Sequence, residues 1–407
     1  MKNKLTLKKI FTIFVVLLPF LYQYKSPITV ISLGEFILIP FMIYFFMKDF
    51  STKLVLKQFN GLYTYLLCVL IFNLIASIQT YYSYSDFATI FARIVYYSIL
   101  IYIAYNNFDF KYGIKFLINI SILFSVYAII QTIAYYTLDV ILPTVVNPNW
   151  VFAGEESGNR LNYAEYYKWM YRASSLFLEP GYYISYAAPA LLALLHLDGF
   201  NKKNMLRSLI ITIGFIVSTS SAAIVILVVA WGTYFLKDFF GKNKKYEIKK
   251  IILSFGIIII VCVLLNSGVL MSVINRIAGG GSFNNRITRT FIIFKNTNVF
   301  QKIVGVGVNN VANFINQEKL YTMYDEADLN YISSYIGTLL SSGIITFLFY
   351  NKFFITSFCK SRQIFTKLLV TIFLFYNFIG NITFSNKFAF YAILIFATQK
   401  FYSINNE

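Results

Sequence analysis

Apolar residues along this chain come in long runs near 10–23, 27–47, 58–79, 86–106, 115–137, 182–199, 205–219, 221–237, 250–272, 331–350, 365–380 and 387–401, with only short polar breaks between most of them. Crossing about 30 Å of hydrocarbon takes about 20 apolar residues of helix, so the pattern predicts roughly twelve transmembrane helices. The expected fold is therefore all-α: a polytopic membrane helical bundle occupying residues 1–407 as a single integral membrane domain. The first run follows MKNKLTLKK and has the outline of a signal peptide, but no small-residue cleavage site follows it. It is read as a retained first helix.

Composition agrees. The chain is 58% hydrophobic and only 13% charged, with a mean hydropathy of +0.65, too apolar for an ordinary water-soluble protein. Its formal net charge of +18 would suggest nucleic acid in a soluble chain. Here the basic residues sort by side of the membrane. With a cytoplasmic N-terminus, Lys2, Lys4, Lys8 and Lys9, then Lys48, Lys53, Lys57, Lys111, Lys115, Lys202, Lys203, Arg207, the cluster from Lys237 to Lys250, Lys352, Lys360, Arg362, Lys367 and Lys400 all fall inside. Both termini are then cytoplasmic, and no nucleic-acid partner is expected. Cys68, Cys262 and Cys359 are scattered singly and give neither a disulfide framework nor a metal-ligand spacing.

Two segments, 138–181 and 273–330, lie on the outer side and are far longer than the other connections. Loops of that length are commonly functional. They also hold basic residues that topology does not predict, among them Arg160, Arg172, Arg276, Arg286 and Arg289. In the first loop, Glu179-Pro180-Gly181 marks a helix start, because proline lacks the N–H that a first turn cannot use. Arg172 can fold back toward it. A guanidinium beside the free N–H groups of a helix start suits phosphate oxygens; the alternative is that Arg172 and Glu179 simply pair at the interface.

In the second loop, Gly279, Gly280 and Gly281 break the chain, and the next run reads as a helix with Arg286 and Arg289 on one face. Its apolar residues, including Ile287, Phe291 and Phe294, would let it lie on the membrane surface, where the arginines meet substrate or anionic lipid. Gly305-Val306-Gly307 lacks the context of a dinucleotide fingerprint and reads as a tight turn positioning Asn309 and Asn310. Asp325-Glu326-Ala327-Asp328 is either a solvated acidic loop or supplies Asp328 to activate a hydroxyl; Glu179 is the competing base. Within the spans, Glu35 and Arg93 read as charges paired with other helices, and His196 falls at the cytoplasmic end, away from the long loops. Ser218-Thr219-Ser220-Ser221 reads as a small-residue turn or packing site.

The order of YRASSLFLEPGYYISYAAPALL, a span with STSSAA, NRITRTFIIFKNTNVFQKIVGVGVNN and LNYISSYIGTLLSSGIITFL resembles the Wzy-type O-antigen and capsular polysaccharide polymerases and the related O-antigen ligases, over about Tyr171 to Tyr350. The resemblance implies a GT-C-like membrane fold and an inverting, metal-independent glycosyltransferase with no cofactor. Its substrate would be an oligosaccharide on polyprenyl pyrophosphate, passed to the non-reducing end of a second lipid-linked unit. The resemblance implies catalytic roles for Arg172 and for Arg286 or Arg289, carries its Gly-x-Gly to Gly305 and Gly307, and leaves the general base unassigned; the reading of the residues adds Glu179 to the catalytic set and Arg160, Arg276, Asn309 and Asp328 to the two glycines in binding substrate, with no metal. Ligases carry a histidine just before the span that begins at Tyr331; here the chain reads ADLNYI, which favours polymerase. The implied setting is the bacterial cytoplasmic membrane, with membrane lipid and possible partners in a chain-length regulator and a flippase. A lipid-linked oligosaccharide flippase is the rival of another class, although no internal repeat is visible.

Overall fold

A computed structural model of the 407-residue chain describes residues 6–28, 31–49, 56–151, 171–197, 201–239, 287–320 and 332–404. Their regular structure is helical, with two isolated β-bridges, Tyr24 to Val151 and Lys25 to Ser32. The main helices, in chain order, are α1 Leu7–Leu21, α2 Leu33–Asp49, α3 Leu62–Ala76, α4 Tyr84–Asn107, α5 Phe110–Leu138, α6 Pro180–His196, α7 Lys202–Val217, α8 Ser221–Phe239, α9 Arg289–Asn296, α10 Val299–Val304, α11 Val311–Gln317, α12 Ser334–Lys360, α13 Ile364–Ile379 and α14 Asn386–Ile404. Eleven of the twelve apolar runs thus coincide with a helix. The run at 250–272 lies outside the described residues. Three helical stretches, α4, α5 and α12, are long and apolar enough by length and composition to cross a membrane, α12 with an internal break at Gly343, and α3, α13 and most of α8 are shorter apolar helices. The protein is a helical membrane protein.

The chain divides into two compact units, one of Met1–Val15, Leu38–Phe110 and Gly280–Glu407, the other of Val16–Ile37 and Lys111–Gly279. In the first, polar side chains tie helices together at two opposite ends. At one end Asn60 donates to Ser357 Oγ (3.2 Å) and Gln399 Oε1 (2.9 Å), Gln399 donates to Ser361 Oγ (3.0 Å), and Lys400 Nζ donates to the Tyr105 carbonyl (2.9 Å). At the other, the 77–83 connection meets the 298–317 stretch. Segments assigned to the same side by the distribution of lysine and arginine therefore meet one another, as alternating spans require.

One span differs from the expectation. The run 331–350 reads as a single crossing, yet α12 is broken at Gly343, whose φ of 75° and ψ of 173° are not helical. Tyr335 donates to Asn351 Oδ1, and its ring centroid lies 4.9 Å from that of Phe347. In a continuous helix residues 16 apart would be separated by about 24 Å along the axis, more than the two side chains can bridge. The 334–342 and 344–360 halves therefore lie side by side as a helical hairpin. The first half starts against the turn between α13 and α14: Ser334 N donates to the Gly380 carbonyl (2.8 Å), and Ser334 Oγ accepts from Ile382 N and Thr383 N.

In the second unit α6 is apolar on every side, and all residues from Tyr183 to Leu195 are buried. A helix without a polar face belongs inside a bundle. Ser125 on α5 and Tyr183 on α6 share a hydrogen bond of 2.7 Å, and Gly214 on α7 sits so close to both that a Cβ would collide with them.

Candidate functional site

In the second unit, residues 171–179 form a strap leading into α6, and two glutamines clamp it. Gln131 accepts from Ser175 N (2.9 Å) and donates to the Ser175 carbonyl (3.0 Å). Gln23 accepts from Leu178 N (3.2 Å) and donates to the Leu176 carbonyl (2.7 Å). A carboxamide matches a peptide group in both donor and acceptor, so each clamp satisfies two backbone groups at once. Between the clamps Ser175 adopts φ 56°, and Phe177 is buried against Phe20, Phe124 and Tyr186. The strap is thus fixed from both sides.

Arg172 lies on this strap, partly exposed, with its Nε shielded from solvent. It follows Tyr171, whose ring stacks on Tyr135 at 4.6 Å; burial, with Tyr127 and Tyr135 nearby, pushes the Tyr171 hydroxyl up to about 12. Glu179 is the N-cap residue of α6, and its carbonyl accepts from Tyr182 N and Tyr183 N while its side chain makes no capping bond. Arg172 and Glu179 stand on one rigid strap at the start of one buried helix.

In the first unit, the Gly305–Asn310 loop caps the break in α12. Val306 N donates to the Leu340 carbonyl (3.0 Å) and Gly307 N to the Ser341 carbonyl (2.9 Å). These carbonyls end the first half of α12, where a helix has no partners of its own. The approach demands glycine: Gly305 and Gly343 both have positive φ, and a Cβ on either would strike backbone, the Ser341 carbonyl for Gly305 and the Ile303 carbonyl for Gly343. Gly305–Gly307 is thus a tight turn, and its amides are engaged within the protein. Val308 N donates to Asn73 Oδ1 (3.0 Å) and Ser83 N to Asn310 Oδ1 (2.7 Å); Gln79 donates to the Gly305 carbonyl (3.2 Å) and accepts from Gln301 (3.1 Å).

The turn buries Asn310 and exposes Asn309, which adopts φ 62°. Tyr82 packs its ring on Gly307, and burial, followed by the neighbouring Tyr84 and Asp86, pushes its hydroxyl up to about 12. The Tyr82 hydroxyl and Asn73 Nδ2 are buried beside this loop without a hydrogen-bond partner among the described residues. Both are neutral donors that a water or a ligand oxygen could engage.

Arg289 is the first residue of α9 and follows directly on π-helical Ile287 and Thr288. Arg286, Arg160, Arg276 and Asp328 lie outside the described residues. Arg289, Gly305, Gly307 and Asn309 belong to the first unit and Arg172 and Glu179 to the second.

Glu35 has a local role that sequence reading missed. Its Oε2 accepts from Ser32 N and Ser32 Oγ, both at 2.8 Å, and Ser32 Oγ accepts from Glu35 N (3.3 Å). This is a capping box at the start of α2. His196 Nε2 meets Thr233 Oγ1 at 3.3 Å, and Ser218 to Ser220 form the turn between α7 and α8. No protein-family model and no curated protein matches this chain.

Proposed function

We propose that this protein is a polysaccharide polymerase: an inverting glycosyltransferase that moves a growing glycan from polyprenyl pyrophosphate to the non-reducing end of another lipid-linked repeat unit. The observation that carries the reading is the strap at residues 171–179, whose two glutamine clamps hold Arg172 and Glu179 at the start of α6. A guanidinium stays charged and binds phosphate oxygens in pairs. As the bond from the anomeric carbon to the pyrophosphate breaks, the leaving oxygens take the electron pair, and arginines placed there neutralise it. The acceptor hydroxyl attacks the opposite face of the anomeric carbon and gives its proton to a base, for which Glu179 and Asp328 are the candidates. The resemblance also assigns charge neutralisation to Arg286 or Arg289 of the second long loop, and the sequence offers Arg160 and Arg276 as substrate-binding candidates.

The sequence order that resembles polymerases and ligases supports this reading, and the absence of histidine in ADLNYI favours polymerase over ligase. In this reading the chain sits in the bacterial cytoplasmic membrane with both termini inside. The broken α12 favours a second one. Discontinuous helices with buried polar residues, such as the Tyr350–Asn377 pair beside the break in α12, are where transporters place substrate, so an oligosaccharide flippase is the alternative.

One assay separates them. Vesicles holding purified protein and its lipid-linked repeat unit are expected to make polymer, and Arg172→Ala or Arg286→Ala to lose at least tenfold of that rate with unchanged membrane insertion. Transbilayer movement of the substrate without new linkages would favour the flippase, and full polymer yield from both variants would remove the arginines from the site.

A further inference from the structure

Within the second outer loop the solvent-accessible residues change character. Those ending α11, namely Asn316, Gln317, Glu318 and Lys319, are exposed and polar. On α9 and α10 the exposed residues include Phe291, Ile292, Val299, Phe300 and Ile303, with Val299 at 73%. The opposite faces of the same two helices are also used: Thr290, Ile293, Gln301 and Val304 are buried in the first unit. An amphipathic helix in water buries its apolar face and exposes its polar one. Here part of the apolar surface points away from the protein.

We infer that α9 and α10 are seated in the bilayer, with this face against lipid hydrocarbon at the level where acyl chains meet headgroups. Continuity with the membrane-facing surface of the spans identifies the occupant. Gly343 of α12 lies against the Ile303 carbonyl, and the next residues of α12, Ile344, Ile345 and Leu348, are exposed and apolar. Val304 packs with Ala76 at the end of α3, whose Leu74 is exposed. The exposed apolar face of the loop therefore extends the exposed apolar surfaces of two membrane helices. Lys295 Nζ lies over the Phe291 ring at 5.1 Å, the pose of a lysine that lays its stem on apolar surface and lifts its charge to the headgroups. The inference rests on the helices being membrane helices and not on the glycan chemistry. It changes the topology: residues 291–303 are membrane-seated, whereas the exposed polar residues 316–319 stand in water.

The test uses the full chain with Cys68, Cys262 and Cys359 replaced by serine, a single cysteine placed at 299, 300 or 303, a nitroxide label on it, and vesicles of phosphatidylethanolamine and phosphatidylglycerol. Collision with oxygen reports hydrocarbon, and collision with a water-soluble nickel chelate reports water. Labels at 299, 300 and 303 are expected to respond several-fold more to oxygen than to nickel, as a label at Leu348 should, while labels at Asn309 and Lys319 reverse the ratio. Nickel-dominated signals at 299, 300 and 303 would overturn the inference in favour of a water-exposed loop. Shielding from both reagents would overturn it in favour of a protein cover. The Leu348 label establishes in each case that the chain is inserted.

Discussion

The strap at 171–179 and the loop at 305–310 are both fixed by amides, but for different ends. The strap of the second unit has no regular structure to complete, and Gln23 and Gln131 supply the partners that its backbone would otherwise lack. The Gly305–Asn310 loop of the first unit spends its own N–H groups on the ends of a broken helix. One loop is held by the bundle; the other holds the bundle together. The turn at 305–307 therefore cannot move without releasing α12.

The largest effects should come from attacking that second role. Gly343→Ala must hold a side chain at φ 75° and drive Cβ into the Ile303 carbonyl, and Gly305→Ala, at φ 90°, meets the Ser341 carbonyl. Neither obstacle is a flexible side chain. Strain of this kind costs about 1–3 kcal/mol before the collision is counted, so both variants should unfold in detergent well below the wild-type midpoint or fail to accumulate. A wild-type melting temperature for Gly343→Ala would mean that the hairpin of α12 is not the folded arrangement.

Next come the clamps. Gln131→Leu leaves Ser175 N and the Ser175 carbonyl without their partner in a buried setting, a loss of roughly 1–3 kcal/mol for each group that finds no other. Gln79→Leu removes the bond to the Gly305 carbonyl and those accepted from Gln301 and Tyr81, all at partly buried sites that water can reach, and leaves both N–H···O=C bonds to α12 in place; about 1 kcal/mol is expected. Thermal unfolding should therefore rank Gln131→Leu as the more damaging. The reverse order would mean that the strap is loosely held and that the turn depends on Gln79. If the strap presents Arg172, Gln131→Leu should also cut polymer formation in the surviving folded fraction, and Gln79→Leu should cut it less.

Much of this arrangement was legible in the sequence, and the unreadable parts share a physical cause. Long apolar runs announce membrane helices because hydrocarbon thickness sets their length, and Pro180 announced the start of α6 because its missing N–H fits a first turn. The box at Ser32 and Glu35 also had a local pattern, hidden by the apolar residues around it. The break in α12 did not stand out, since isolated glycine is tolerated in helices and ISSYIGTLLSSGIITFLFY reads as one run. What selects a break there is the approach of Ile303, Val306 and Gly307 from elsewhere in the chain. The clamps are invisible for the same reason, Gln131 and Gln23 lying 44 and 153 residues from the carbonyls they reach.

The smallest predicted effect compares two tyrosines, one against each loop. Tyr82 on Gly307 and Tyr171 on Tyr135 both have hydroxyls pushed up to about 12, chiefly by burial. A raised folded-state value favours the neutral phenol, so this contribution is present in full below about pH 10, where the unfolded phenol titrates, and is lost as pH rises through about 12. Each tyrosine should add on the order of 1–2 kcal/mol to alkaline destabilisation in that window. Many other tyrosines titrate there too, so the useful quantity is the difference from wild type. Tyr82→Phe should lessen the fall in melting temperature between pH 10 and pH 12 while changing little at neutral pH, where the buried hydroxyl has no partner among the described residues to lose. Tyr171→Phe should do the same for the strap. A marked loss at neutral pH in Tyr82→Phe alone would mean that its hydroxyl binds an ordered water or ligand oxygen beside Gly307, making the turn a binding surface as well as a helix cap.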